Sequence, residues 1–155
     1  MRKNLALVIK AFRNKEREGD ILLIVGDGPE MASLRSQSSQ LPNVIFTGMV
    51  EDVSPYLQSA DCFISASLAE GMPNSVLEAL AHGVPVILSD IPAHKEVLDY
   101  AEDVGWLFSL DSENSLNSLL TSVDLSLKSR SNVQSAAYRS FSAEKMSQSY
   151  QNLYA

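Results

Sequence analysis

The chain has 155 residues, about one domain's worth, and 45% of them are hydrophobic, which supplies a core and excludes wholesale disorder. Twelve basic residues against 19 acidic ones give a formal net charge of -7, the wrong sign for a surface that wraps nucleic acid. One cysteine, Cys62, permits neither an internal disulfide nor a cysteine-built metal site. No apolar run is long enough to cross a bilayer, and the first residues, Met1-Arg2-Lys3-Asn4-Leu5, lack the apolar stretch and cleavage site of a signal peptide. With the lone cysteine this reads as a cytoplasmic protein.

In chain order, Leu5, Val8, Ile9 and Phe12 fall at i, i+3, i+4 and i+7, one face of a helix. Ile21-Leu22-Leu23-Ile24-Val25 is a continuous apolar run halted by Gly26-Asp27-Gly28-Pro29, which predicts a strand buried on both faces and then a turn. Pro29 suits the first position of a helix over 30–40. Val44 to Thr47 reads as a strand closed by Gly48. The cycle repeats with a helix over 53–60, a strand over 62–65, a helix over 74–82 ended by Gly83, a strand over 85–88, a helix over 93–98 and a strand over 105–108.

Apolar strands alternating with helices predict an α/β fold, a Rossmann-like, doubly wound parallel sheet with helices on both faces. Beyond Asp111 the strand signals stop. Leu116, Leu119, Leu120, Val123 and Leu127 make a helical stripe, Tyr138 and Phe141 mark a second helical piece, and Met146, Tyr150, Leu153 and Tyr154 a third. The chain thus reads as one domain over 1–155, alternating α/β over 1–110 and a helical tail over 111–155. It opens on a helix, so the expected sheet lacks its first strand, whose place in this fold is between the Ile21–Val25 and Cys62–Ser65 strands. That predicts exposed strand edges and a tendency to self-associate.

The segment richest in chemistry runs from Ser65 to Leu80. A buried strand ends, a loop containing Glu70 and Gly71 follows, and Pro73 opens a helix bearing Glu78. Open α/β sheets bind ligands at the carboxyl ends of their strands. The first turn of the helix offers unpaired N–H groups and the positive end of the dipole, a site suited to phosphate. Gly71 admits a ligand close to the backbone. A carboxylate accepts from two vicinal hydroxyls at once, which suits a ribose or a hexose. Each acid taken singly also fits a solvated surface residue, and Glu78 a dipole partner.

Glu70-Gly71-Met72-Pro73-Asn74-Ser75-Val76-Leu77-Glu78-Ala79 resembles the E-x7-E signature of family 4 (group 1) retaining glycosyltransferases with the GT-B fold. Lys3-Asn4-Leu5 through Ala11-Phe12, Val25-Gly26-Asp27-Gly28-Pro29, Phe46-Thr47-Gly48, Ala60-Asp61, Gly83-Val84-Pro85-Val86-Ile87 and Gly105-Trp106-Leu107 follow the family's order and spacing. The resemblance covers the C-terminal, donor-binding half of such an enzyme and implies the roles that follow. Glu70 contacts donor-sugar hydroxyls. The amides of Gly71, Met72, Pro73, Asn74, Ser75 and Val76, as one stretch, hold sugar and distal phosphate. Glu78 binds the ribose. Lys3 neutralises the diphosphate leaving group. Met49 and Val50 contact the base through their backbone, and Gly26 and Gly28 let their turn pass close to the diphosphate.

The resemblance further implies a nucleotide-diphosphate sugar as donor substrate, no metal and no cofactor. The family's Arg a few residues before the Lys has no counterpart, because Arg2 is adjacent to Lys3. The N-terminal acceptor-binding domain is absent from this stretch, so a separate chain or segment supplies it. A nucleotide-sugar binding or assembly module that needs such a chain, and an inactive truncated remnant, are the alternative readings. Membrane contact is left open. Among other residues, His82 reads as a helix C-cap, His94 as a surface residue in a loop with an approach to the donor site as the alternative, Asp27 and Asp90 as turn residues with the cleft as the alternative, and Cys62 and Trp106 as packing.

Overall fold

The computed structural model describes residues 3–13, 19–112 and 114–142. Its elements alternate as predicted: α1 Leu5–Arg13, β1 Leu22–Val25, α2 Met31–Gln37, β2 Val44–Gly48, α3 Ser54–Ser59, β3 Phe63–Ser65, α4 Asn74–Ala81, β4 Val86–Ser89, α5 Pro92–Tyr100, β5 Gly105–Phe108, α6 Ser115–Ser122 and α7 Arg130–Phe141, with a 3-10 turn at Leu125–Leu127 before α7. Pro29 precedes α2 by two residues rather than opening it, and α5 starts earlier than expected, at Pro92. The expected final helical piece at Met146 to Tyr154 lies outside the described residues.

All strand pairs are parallel. They form two sheets, β1-β2 and β3-β4-β5, so β1 and β3 each keep one edge without a described partner strand. The division falls between β1 and β3, the two strands expected to flank a first strand.

β4 is buried throughout and separates the two halves of the core. Ile87 packs with Val8, Ile9 and Phe12 of α1 and Leu116 and Leu120 of α6. Its neighbours Val86 and Leu88 point the other way, to Val76, Ala79 and Leu80 of α4, Val97 of α5 and Val133 and Ala137 of α7. A strand with helices on both faces reads as an unbroken apolar run, and β4 does.

β1 departs from that expectation. Leu22 and Ile24 are buried against the α1 side, while Leu23 and Val25 are exposed, as is Ile45, the β2 partner of Leu23. Among the described residues nothing covers this outer face, so an apolar run that predicted two buried faces has one. In the tail, Leu127 and Tyr138 are also exposed, and α7 buries the small residues Ala136 and Ala137 with Val133 instead. Small residues bring α7 close to α4.

That approach is locked at one point. The Arg130 guanidinium donates to the carbonyls of Leu57 and Ala60 at the end of α3 (both 2.8 Å) and of His82 at the end of α4 (3.1 Å). Helix C-termini leave carbonyls without partners, and one Arg satisfies those of two helices. Gly83 follows the α4 C-cap at φ +73°, and a Cβ there would collide with the Arg130 carbonyl. Gly83→Ala is therefore expected to cost on the order of 2 kcal/mol or more of unfolding free energy in a urea titration. A cost below about 0.5 kcal/mol would show that α7 yields at this contact.

Candidate functional site

The loop between β3 and α4 runs over 66–73 at the carboxyl end of β3 and carries Glu70 at its centre. Lys3 and Ser67 both hold the Glu70 carboxylate. The Lys3 ammonium, from the turn before α1, lies 2.7 Å from Oε1. The Ser67 hydroxyl donates to the same oxygen at 2.8 Å. The Glu70 side chain is 12% exposed and that of Lys3 59%. The structure thus brings together two residues 67 positions apart that the sequence assigned to one site.

The first turn of α4 is less open than expected. Asn74 N–H donates to the Met72 carbonyl (3.0 Å) and Val76 N–H to the Pro73 carbonyl (2.9 Å), while Pro73 has no N–H to offer. Val76 is fully buried. The amide donors that keep no partner among the described residues are those of Gly71, Met72 and Ser75. Of the stretch expected to offer amides, Gly71 to Val76, these three are the ones without an internal partner. Turn carbonyls of the loop itself take the others.

Glu78 lies one turn further along α4, exposed, and among the described residues its carboxylate has no hydrogen bond or ion pair. At the ends of β1 and β2, Gly26 has φ +110°, a conformation L side chains rarely adopt, and its N–H bonds the Gly48 carbonyl at 2.9 Å. A Cβ on Gly26, Gly28 or Gly71 would meet nothing within 4 Å, so open space lies beside each. The Gly28 N–H is already taken by the Asp27 carboxylate at 2.7 Å, the turn role expected of Asp27. Met49 is 84% exposed beyond β2, and Val50 is half-buried.

His82 caps α4, its Nδ1–H donating to the Glu78 carbonyl at 2.9 Å, as its place beside Gly83 implied. Asp90 pairs with Lys95 at 2.7 Å. Cys62 is half-buried just before β3, and the Trp106 ring lies 5.0 Å below the Lys128 ammonium. Among the described residues no three His, Cys, Asp or Glu side chains gather into a metal site, and no helix is long and apolar enough to cross a membrane.

His94 overturns its sequence reading. It is not on the surface but wholly buried, the third residue of α5. Its Nδ1 lies 2.9 Å from the Ser89 carbonyl, and a carbonyl only accepts, so Nδ1 carries the proton. Its Nε2 faces the Ser65 hydroxyl at 3.4 Å. Ser65, Ser67 and Ser89, also buried, complete a polar group behind Glu70 that sequence reasoning missed. The available signal was a serine at the end of each of two otherwise apolar strands, Ser65 and Ser89, with Ser67 two residues beyond the first.

Burial pushes the His94 imidazole below its ordinary value of 6.5, the Lys3 charge adds to the drop, and the Ser89 hydrogen bond and the Glu70 charge oppose it. Between 6.5 and the lowered folded value the unfolded chain binds more protons than the folded one. Stability from this group is therefore complete above about pH 6.5 and is lost as pH falls toward the folded value. Urea titrations are expected to show this acid-side loss in the wild-type chain and a shallower one in His94→Gln. Equal slopes in the two would remove His94 as its source.

Comparison with known proteins gives the site its context. A family model described as glycosyl transferases group 1 matches residues 1–123. An alpha-monoglucosyldiacylglycerol synthase of Streptococcus pneumoniae is 40% identical over 97 residues, which is 58% of this chain and 22% of the synthase. Among solved structures, the lipopolysaccharide outer core galactosyltransferase WaaB in its apo form superposes with a TM-score of 0.85 at 18% identity, covering 99% of this chain and 45% of that one. Anabaena HepE in complex with UDP and glucose superposes at 0.79 and 19%, again over 99% and 45%. These likenesses establish the GT-B Rossmann-like fold. The chain spans less than half the length of each of these relatives.

Proposed function

This chain belongs to the group 1 glycosyl transferases, and we propose that it forms the donor-binding half of a retaining enzyme that moves a hexose-type sugar from a nucleotide diphosphate to an acceptor. The observation that carries this reading is the Lys3–Glu70 pair beside the partnerless amides of Gly71, Met72 and Ser75. A cation, a carboxylate and a helix N-terminus together suit a ligand with phosphate at one end and hydroxyls at the other.

The roles divide by charge. The Gly71, Met72 and Ser75 amides and the α4 dipole receive the distal phosphate. Glu78 takes the ribose hydroxyls and Glu70 those of the sugar. Gly26 and Gly28 give the diphosphate room, and Met49 and Val50 border the base. Lys3 is paired with Glu70, and its own end of the pair is open to solvent. A diphosphate carrying more charge than one carboxylate can draw the ammonium away cheaply. As the glycosidic bond breaks, charge builds on the departing diphosphate, which the α4 amides and the redirected Lys3 ammonium stabilise. In this reading the helix terminus and Lys3 manage that charge without a metal.

The same reading places the acceptor site, and a strand for the open edges of β1 and β3, on residues or a chain outside this sequence. HepE, a solved relative in complex with UDP-glucose, supports a uridine donor as the first probe.

Glu78→Ala is expected to lose about 1–3 kcal/mol of affinity for UDP by calorimetry. Glu70→Ala is expected to weaken UDP-glucose and leave UDP unchanged. Equal losses for both ligands in Glu70→Ala would contradict its assignment to the sugar. Affinity of the wild-type chain for either ligand should also fall as salt rises, despite the net charge of -7, because local cationic groups hold the diphosphate. A flat salt response would point to a neutral ligand.

A further inference from the structure

Four polar side chains are packed away from water: Ser65 at the end of β3 at 8% exposure, and Ser67 in the following loop, Ser89 at the end of β4 and His94 in α5 at 0%. None belongs to the donor contacts assigned above. They form one connected chain. His94 Nδ1–H donates to the Ser89 carbonyl. On the other side of the ring, Nε2 is 3.4 Å from Ser65 Oγ, which is 3.3 Å from Ser67 Oγ, which donates to Glu70 Oε1 at 2.8 Å. The Ser89 hydroxyl donates to the Ser67 carbonyl at 2.6 Å, so the backbone that aims Ser67 at Glu70 is itself pinned.

Each hydroxyl has one proton to give. With His94 neutral, the Ser65 proton has two acceptors, Nε2 and Ser67 Oγ, and serves one at a time. With His94 protonated, Nε2–H donates to Ser65, Ser65 to Ser67 and Ser67 to Glu70. Three donors then run in one direction and end on the carboxylate.

We propose that His94 is a positioning residue for Glu70, setting through Ser65 and Ser67 how firmly the carboxylate that meets the donor sugar is held. The coupling stands on the geometry alone, and the identity of the ligand rests on the reading under Proposed function. The charged groups acting on His94 are Glu70, which favours the imidazolium, and Lys3, which opposes it. On its own turn and helix, Asp90 and Lys95 neutralise each other.

The test is a carbon-13 NMR titration of the Glu70 carboxyl in the full chain, with the His94 ring followed in parallel. The Glu70 signal is expected to show, besides its own ionisation, a second inflection at the pH where His94 titrates. Ser65→Ala should abolish that inflection while His94 still titrates, and Ser65→Thr, which keeps the hydroxyl, should restore it. His94→Gln should abolish it as well. A second inflection that survives Ser65→Ala, or none in the wild-type chain, overturns the proposal. Calorimetry at one neutral pH reads the consequence. Ser65→Ala should lose about three- to tenfold in affinity for UDP-glucose and keep its affinity for UDP. Unchanged affinity for UDP-glucose overturns the positioning role. A wild-type chain that binds neither compound refutes the donor reading instead, and the titration, which needs no ligand, still decides the coupling.

Discussion

Burying a polar group without a partner costs about 1–3 kcal/mol, and this constraint shapes the carboxyl edge of the larger sheet. Ser65, Ser67, Ser89 and His94 are all out of water, and among the described residues every buried side-chain nitrogen and oxygen has a partner. Satisfying them fixes the ring of His94, the backbone at Ser67 and, through the Ser67 hydroxyl, the carboxylate of Glu70. The loop that carries the candidate chemistry is thus anchored from behind by buried hydrogen bonds. On its open side the partly exposed Lys3 pairs with the same carboxylate. A firm back and an exchangeable front are what a site needs if a ligand is to replace one contact without losing the loop.

The same division runs through the fold. Around β4, helices on both faces bury Val86, Ile87 and Leu88 completely or nearly so. Around β1 and β2 one face is left to solvent, and one edge of β1 has no described partner strand. Glu70, α4 and His94 stand on the well-covered half, whereas Gly26, Gly28 and Met49 stand on the half that is covered on one side. Arg130 adds to the first half by joining the ends of α3 and α4 to α7.

Much of this was legible from residue order, because periodicity reports burial and burial decides elements. The last strand, Gly105 to Phe108, agrees at both ends, and Gly83 marks the end of α4 as a left-handed glycine should. The run Ile21 to Val25 misled, because five apolar residues report a strand but not how many helices cover it. The stretch Ala93-His94-Lys95-Glu96 looks like surface, yet a helix turns only one of three polar neighbours inward, and here it is the histidine. Of the site, the assignment of Lys3 and Glu70 to one cleft follows from a family pattern and not from spacing, and their direct ion pair is not announced by either. Turn carbonyls within the loop take the amides of Asn74 and Val76, a detail no residue type announces.

The central claim is that a phosphate-bearing sugar donor sits on the N-terminus of α4. The most direct measurement is a proton–nitrogen NMR titration of the full chain with UDP-glucose, read amide by amide. The account predicts that the largest shifts fall on Gly71, Met72 and Ser75, the donors without a partner in the free chain. Saturable shifts that spare all three, and gather instead at the opposite strand ends around Asp20 and Asn43, would contradict it.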